Sequence, residues 1–359
     1  MTNPVYIIAE AGVNHDGSVQ DALRLVDAAA DAGADCVKFQ SFQADAIVTA
    51  GAEKAQYQKR TDGADESQQA MLKRLQLPME AYDPLIRRAR ERPIDFLSTP
   101  FDPLSLAFLV DDLRLARIKV GSGDLTNTPM LLEIAKAGRD VILSTGMATL
   151  TEVEDALGAL AFGYARRPEP PSPEAFAAAC KDPAVRATLS GRVVLLHCTT
   201  EYPAPAESVN LKAMDTLADT FGLPVGYSDH TLGFEVAVAA VARGASVIEK
   251  HLTLDCTRKG PDHAASLEPA AFRQMVSAIR VIEAALGDGR KTPHPSELKN
   301  IPIARKALVA ARAIAKGDVF SFENLAIKRP ADGLAPGRIW SLIGTVAHRS
   351  YQRDEAIEP

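Results

Sequence analysis

Eight short apolar, β-branched runs alternate with stretches whose apolar residues recur at helical spacing, and this alternation constrains the fold more than any other feature. The strand-like runs lie at residues 5–10, 36–39, 96–99, 117–120, 141–144, 193–197, 225–228 and 247–251. Helical spacing falls between them at 19–32, 105–111, 130–137, 152–161, 211–221 and 235–243, and after the last at 271–286. Strands that each precede a helix form a parallel sheet, and eight of them close into an α/β fold of the (β/α)8 TIM-barrel type. An open doubly wound sheet is the alternative reading. The 359 residues leave room for such a barrel and a small additional module.

Two segments interrupt the pattern. Residues 53–77 are long and polar, and read as a lid over the barrel mouth or as a solvated insertion without function. Residues 161–191 contain a proline-rich stretch and a helical piece, and read as an insertion between the fifth helix and the sixth strand. Residues 287–300, with Pro293, His294 and Pro295, predict a linker that separates a barrel domain at 1–286 from a tail domain at 301–359. The tail carries strand-like pieces at 307–319 and 325–329 and is short for an independent domain.

Composition excludes more than it selects. Apolar residues make up 47% and charged residues 24%, ordinary values for a globular enzyme, and the net charge of −6 favours neither nucleic acid nor a membrane surface. An anionic substrate would therefore need local Lys or Arg. Cys36, Cys180, Cys198 and Cys256 are widely spaced, and the N-terminus runs straight into a strand-like segment. Both features predict a reduced, cytoplasmic protein.

In a barrel the chemistry lies at the C-terminal strand ends. Lys38 and Lys119 each interrupt an apolar run, and a lysine is rarely buried without a partner. With Thr99, Ser122, Ser144, Ser228 and glycine-flanked backbone around them, the two ammonium groups suit a phosphate or carboxylate. The plainer expectation is that each lysine pairs with a barrel carboxylate such as Glu10 or Glu249. His230 and His251 close adjacent strands; side chains two apart share a face, so Ser228 points with His230 and Glu249 with His251. Two neutral imidazoles near a carboxylate suit a divalent metal whose remaining ligands come from substrate or water. His15, His197, His263, His294 and His348 read as packing or supporting residues.

The strand-end motifs together resemble the N-acetylneuraminate (sialic acid) synthase family. The matching runs are Ile-Ile-Ala-Glu-Ala-Gly-Val-Asn-His-Asp-Gly at 7–17, Val-Lys-Phe-Gln at 37–40, Ser-Thr-Pro-Phe at 98–101 and Lys-Val-Gly-Ser-Gly-Asp at 119–124. Others are Leu-Ser-Thr-Gly-Met at 143–147, His-Cys-Thr-Thr-Glu-Tyr-Pro at 197–203, Tyr-Ser-Asp-His-Thr at 227–231, Glu-Lys-His at 249–251 and Gly-Pro-Asp-His at 260–263. The tail, through Ala-Lys-Gly-Asp at 315–318 and Lys-Arg-Pro at 328–330, is similar to the family's antifreeze-like SAF domain of the β-clip type.

The resemblance implies a transferase that condenses phosphoenolpyruvate with an open-chain N-acylmannosamine, breaking the C–O bond of the enol phosphate. It implies His230 and His251 as metal ligands, with manganese as the first candidate and magnesium or cobalt as the others. Lys38, Thr99, Lys119, Ser122, Ser144, Thr200 and Ser228 would hold phosphoenolpyruvate; Thr200 stands where the family often has Asn. Glu10, Asp124, Tyr202, Asp262 and Arg329 would contact the sugar, and Asp124 replaces a frequent Glu. Glu10, Glu249 and Lys38 form the implied catalytic set, with either glutamate able to move the proton. Arg329 would reach from the tail of one subunit into the barrel of another, which implies a domain-swapped homodimer.

N-acetylmannosamine is the first substrate on these grounds. The run Thr-Glu-Tyr at 200–202 and the insertion at 161–191 resemble the branch that makes N,N'-diacetyllegionaminic acid from 2,4-diacetamido-2,4,6-trideoxymannose. Gly-Ser-Gly-Asp at 121–124 departs from the pseudaminic branch. A synthase of phosphorylated 3-deoxy sugar acids and a non-catalytic sugar- or ice-binding protein are the more distant readings.

Overall fold

The computed structural model describes residues 4–49, 51–63 and 66–358, which form two compact units that divide between Gly287 and Asp288. In the first, eight strands pair in parallel: β1 (Tyr6–Gly12), β2 (Cys36–Ser41), β3 (Asp95–Pro100), β4 (Arg117–Val120), β5 (Asp140–Ser144), β6 (Val193–Cys198), β7 (Val225–Asp229) and β8 (Val247–His251). Their order is β3-β2-β1-β8-β7-β6-β5-β4, so the first and last strands lie side by side and the sheet curls into a near-closed TIM-type barrel.

The period of two explains where the polar groups sit. Ile8, Cys36, Leu97, Ile142, Leu196 and Val247 form an apolar plug inside the barrel. The next inward residue on each strand, two positions on, is Glu10, Lys38, Thr99, Ser144, Cys198 and Glu249. Outward residues such as Ile7, Val37, Ile118, Leu143, Leu195 and Ile248 pack under the surrounding helices in the main core. The barrel is thus sealed below and polar above.

Five of the eight strands run one or two residues beyond their apolar runs, as with Ser41, Pro100, Cys198 and Asp229, because the ladder continues past the last apolar side chain. The expected helix at 105–111 is split: helix Pro103–Ala107 passes into a wider π-type turn at Phe108–Asp112. The polar segment at 53–77 contains two helices, Gln56–Asp62 and Gln68–Leu75, while residues 64 and 65 fall outside the described set. Met71 and Leu75 anchor the second of these against Val13 and Phe42. The insertion at 161–191 is helical, with Pro173–Lys181 packed on the long helix Leu150–Tyr164.

The second unit has its own small core of Leu308, Phe320, Leu325, Ile339, Tyr351 and Ile357. Its antiparallel pair is β9 (Ala307–Ala310) with β10 (Leu325–Lys328). The expected strand at 307–319 ends at Ala310; beyond it, single bridges from Ile314 and Val319 to Tyr351 and Val346 replace a ladder. Among the described residues no helix is long and apolar enough to cross a membrane.

Candidate active site

The strand ends open into a cavity of about 440 Å³. Of the residues singled out in the sequence, Glu10, Lys38, Thr99, Lys119, Ser122, Asp124, Ser144, Thr200, Tyr202, Ser228, His230, Glu249, His251 and Asp262 all line it. Arg329 belongs to the second unit, where it is exposed.

The floor is ionic. Lys38 Nζ lies 2.5 Å from Glu10 Oε2 and 3.6 Å from Glu249 Oε2, and donates to Thr99 Oγ1 at 3.2 Å. Lys119 Nζ donates to Ser144 Oγ at 2.8 Å and to the Val120 carbonyl at 3.2 Å, and stands 3.5 Å from Glu249 Oε1. The plainer expectation of lysine–carboxylate pairs is therefore realised, yet it leaves capacity over. An ammonium has three protons, and each lysine commits two of them to close partners. Both ammonium groups also stand within 3.6 Å of Glu249, whose nearest donor among the described residues is Ser228 Oγ at 2.9 Å.

Burial and charge set the protonation of this floor. Burial alone would raise the Glu249 carboxyl, but Lys119 and Lys38 outweigh it and hold the group at about 2. Glu10 is pushed up by burial, which Lys38 opposes and the Glu249 charge reinforces. Burial lowers Lys119, whereas Glu10 and Glu249 more than offset burial at Lys38.

One wall carries the two histidines, with ring centroids 5.6 Å apart. His230 Nδ1 lies 2.6 Å from the Thr199 carbonyl, so this nitrogen carries the proton and the Nε2 lone pair meets Ser228 Oγ at a long 3.4 Å. Burial holds His230 near 4 and His251 well below its usual range, so both rings are neutral at pH 7. His251 Nδ1 is buried without a hydrogen bond among the described residues, 3.8 Å from Asp262 Oδ2. Burial, helped by Glu10, raises Asp262 to about 7. No three His, Cys, Asp or Glu side chains among the described residues converge as a metal cage. Two neutral rings with open nitrogens, one of them an orphaned buried atom, fit a divalent cation that takes its other ligands from bound molecules.

Sequence patterns missed several neighbours. Tyr57, on the lid helix Gln56–Asp62, lies on Tyr202 with ring centroids 4.9 Å apart, and Tyr202 lies on His230 at 4.2 Å. The lid is fastened from beneath: Lys54 Nζ donates to Asp62, Glu66 and the Gly63 carbonyl at 3.0–3.1 Å. Gly146 allows a close approach, since a Cβ there would sit 2.5 Å from Thr200 Oγ1 and 2.8 Å from Ser122 Oγ. The Gly146 N–H also donates to Ser122 Oγ at 3.0 Å, which fixes that hydroxyl. Only the glycine in the run Ser-Thr-Gly-Met marked this position in the sequence. The other histidines are supporting residues: His197 bonds the Val209 carbonyl, and His263 links Thr253 to Asp16.

The sequence profile of the NeuB family matches residues 25–291, and that of the SAF domain matches residues 305–359. The chain is 49% identical to the N,N'-diacetyllegionaminic acid synthase of Campylobacter jejuni over 351 residues, covering 98% of each chain. It is 44% identical to the N,N'-diacetyllegionaminic acid synthase of Legionella pneumophila, over 95% of this chain and 89% of that one. The crystal structure of the N-acetylneuraminic acid (sialic acid) synthetase from Leptospira borgpetersenii, in complex with citrate, superposes with a TM-score of 0.66 at 33% identity. That match covers 83% of this chain and 90% of the other.

Proposed function

We propose, from the premise that this chain belongs to the NeuB family and carries a SAF domain, that it condenses phosphoenolpyruvate with 2,4-diacetamido-2,4,6-trideoxymannose to give N,N'-diacetyllegionaminic acid and phosphate. The sequence motifs by themselves point first to N-acetylmannosamine. The two relatives above, at 49% and 44% identity, favour the diacetamido sugar instead. The observation that carries the reaction is the pair of buried, cavity-lining lysines that share the single carboxylate of Glu249 at 3.5–3.6 Å.

In this reading Lys38 and Lys119 take the carboxylate and phosphate of phosphoenolpyruvate, and Thr99, Ser122, Ser144, Thr200 and Ser228 accept and donate around them. The enol carbon attacks the sugar aldehyde, and water adds at C2 of the former enol. The tetrahedral intermediate then expels phosphate with cleavage of the C–O bond. Lys38 and Lys119 hold the anionic charge in place where little water competes. Glu10, raised by burial and hydrogen-bonded to Gln40 at 3.1 Å, is the better placed of the two glutamates to pass a proton. Glu249, held ionised, orients both lysines. Asp124, Tyr202 and Asp262 face the sugar.

His230 and His251 would hold the divalent metal, manganese first, which supplies Lewis-acid polarisation of the aldehyde oxygen. The reading also includes a cytoplasmic, domain-swapped homodimer in which Arg329 holds the N-acyl group; the mass in solution and the activity of Arg329→Ala check that part. Phosphoenolpyruvate labelled with ¹⁸O at the bridging oxygen tests the chemistry. Labelled phosphate, formed with Mn²⁺ and lost on chelation, is expected. Label retained in the sugar acid, or turnover indifferent to chelator, contradicts the mechanism.

A further inference from the structure

The cavity has two chemically different ends. Its floor is the lysine–carboxylate network, while its lid side is apolar. There Phe42 and Met71 are buried, and Leu72 and Phe101 pack on them half-buried while lining the cavity. Phe42 and Phe101 meet edge to face, 6.5 Å apart. Two amides stand beside this wall. Gln58 accepts from the Ala55 N–H through Oε1 at 2.9 Å, and its amide also reaches the Tyr57 hydroxyl. Gln68 lines the same cavity and makes no side-chain hydrogen bond among the described residues.

Such a wall is unsuited to a sugar that carries a hydroxyl at every remote carbon. Each hydroxyl set against Leu72 or Phe101 would give up water and gain no partner. An acylamino group suits it, because the methyl can pack on the wall while the carbonyl accepts from an amide N–H. A terminal methyl in place of a hydroxymethyl suits it as well. The position agrees: Phe101 follows Thr99 by two residues, so it lies at most about 7 Å further along the chain than that floor group. A sugar whose aldehyde meets phosphoenolpyruvate at the floor would extend its far end toward the lid.

We infer that the lid-side wall of Phe42, Met71, Leu72 and Phe101, with the amides of Gln58 and Gln68, is the subsite that selects sugars with a second acylamino group and a deoxygenated terminal carbon. The inference rests on the reading of the substrate as a diacylated trideoxy sugar, and places its selection in the lid rather than in the barrel floor. A hydrophobic subsite of this size discriminates by about 10- to 100-fold.

The test uses the full chain with phosphoenolpyruvate and three sugars: 2,4-diacetamido-2,4,6-trideoxymannose, 2-acetamido-2,6-dideoxymannose and N-acetylmannosamine. Phosphate release gives kcat/KM for each. The unsubstituted protein is expected to rank them in that order. Leu72→Asn and, separately, Gln68→Leu are expected to cut the preference for the first sugar over the third by about 10-fold, through KM for the sugar, with KM for phosphoenolpyruvate unchanged. The unchanged KM for phosphoenolpyruvate also reports an intact floor. A preference that stays the same in both variants overturns the subsite. An unsubstituted chain that prefers N-acetylmannosamine overturns the reading of the sugar, and the subsite with it, before any variant is made.

Discussion

Strand β8 carries Glu249, Lys250 and His251 in succession, and its two faces treat buried charge in opposite ways. On the outer face Lys250 is fully buried; its Nζ donates to Asp229 Oδ2 at 3.0 Å and to the Thr231 carbonyl at 2.5 Å, and Asp229 Oδ1 accepts from Thr231 N and Oγ1. Both charged groups there are answered by the protein. On the inner face Glu249 stands a loose 3.5–3.6 Å from two lysines, and His251 Nδ1 has no partner among the described residues. The two faces differ neither in burial nor in residue type but in saturation. Complete pairing locks strands β7 and β8 in register; incomplete pairing leaves capacity that a ligand can take up.

The difference can be broken from either side. Lys250→Met leaves Asp229 buried beside neutral partners only, and is expected to cost about 3–5 kcal/mol of stability, read as a lowered urea midpoint. If the midpoint does not move, the outer pair is not what holds these strands. Lys119→Met should behave the other way, because Glu249 keeps Lys38 and Ser228 as partners. We expect an unfolding midpoint unchanged or raised, and kcat/KM for phosphoenolpyruvate lowered by about 10²- to 10³-fold in steady-state kinetics. A variant with normal kinetics and lost stability would make Lys119 a structural lysine like Lys250.

A smaller effect comes from His15, which is buried and accepts from the Gly17 N–H at 3.0 Å. Burial lowers it to about 4 from its usual value of 6.5. Between those values the unfolded chain binds a proton that the folded chain refuses, so stability falls as pH drops from 6.5 toward 4. The accumulated loss is up to about 3 kcal/mol. His15→Asn should flatten the dependence of the urea midpoint on pH across that window, and an unchanged slope would assign the acid sensitivity to other groups.

Much of this was legible in the sequence because the barrel enforces a period of two. Once Lys38 and Lys119 interrupt apolar runs, their inward direction follows from the apolar residues on either side. The histidines that close β7 and β8 are legible for the same reason. The lid was less so. Met71 and Leu75 lie on one helix face but inside a polar segment, and the partners that bury them, Val13 and Phe42, lie far away in sequence. The saturation of Lys250 was not legible at all. In sequence it is one more strand-end lysine, and only the geometry of Asp229 and Thr231 separates it from Lys38 and Lys119.

The central claim is that the open face of β8 belongs to a site condensing phosphoenolpyruvate with a diacylated trideoxy sugar. The most direct test is phosphate release from phosphoenolpyruvate by the full chain with Mn²⁺, given 2,4-diacetamido-2,4,6-trideoxymannose and N-acetylmannosamine side by side. Preferential turnover of the diacetamido sugar is the predicted result. Phosphate released with N-acetylmannosamine alone, or with neither sugar, would contradict it.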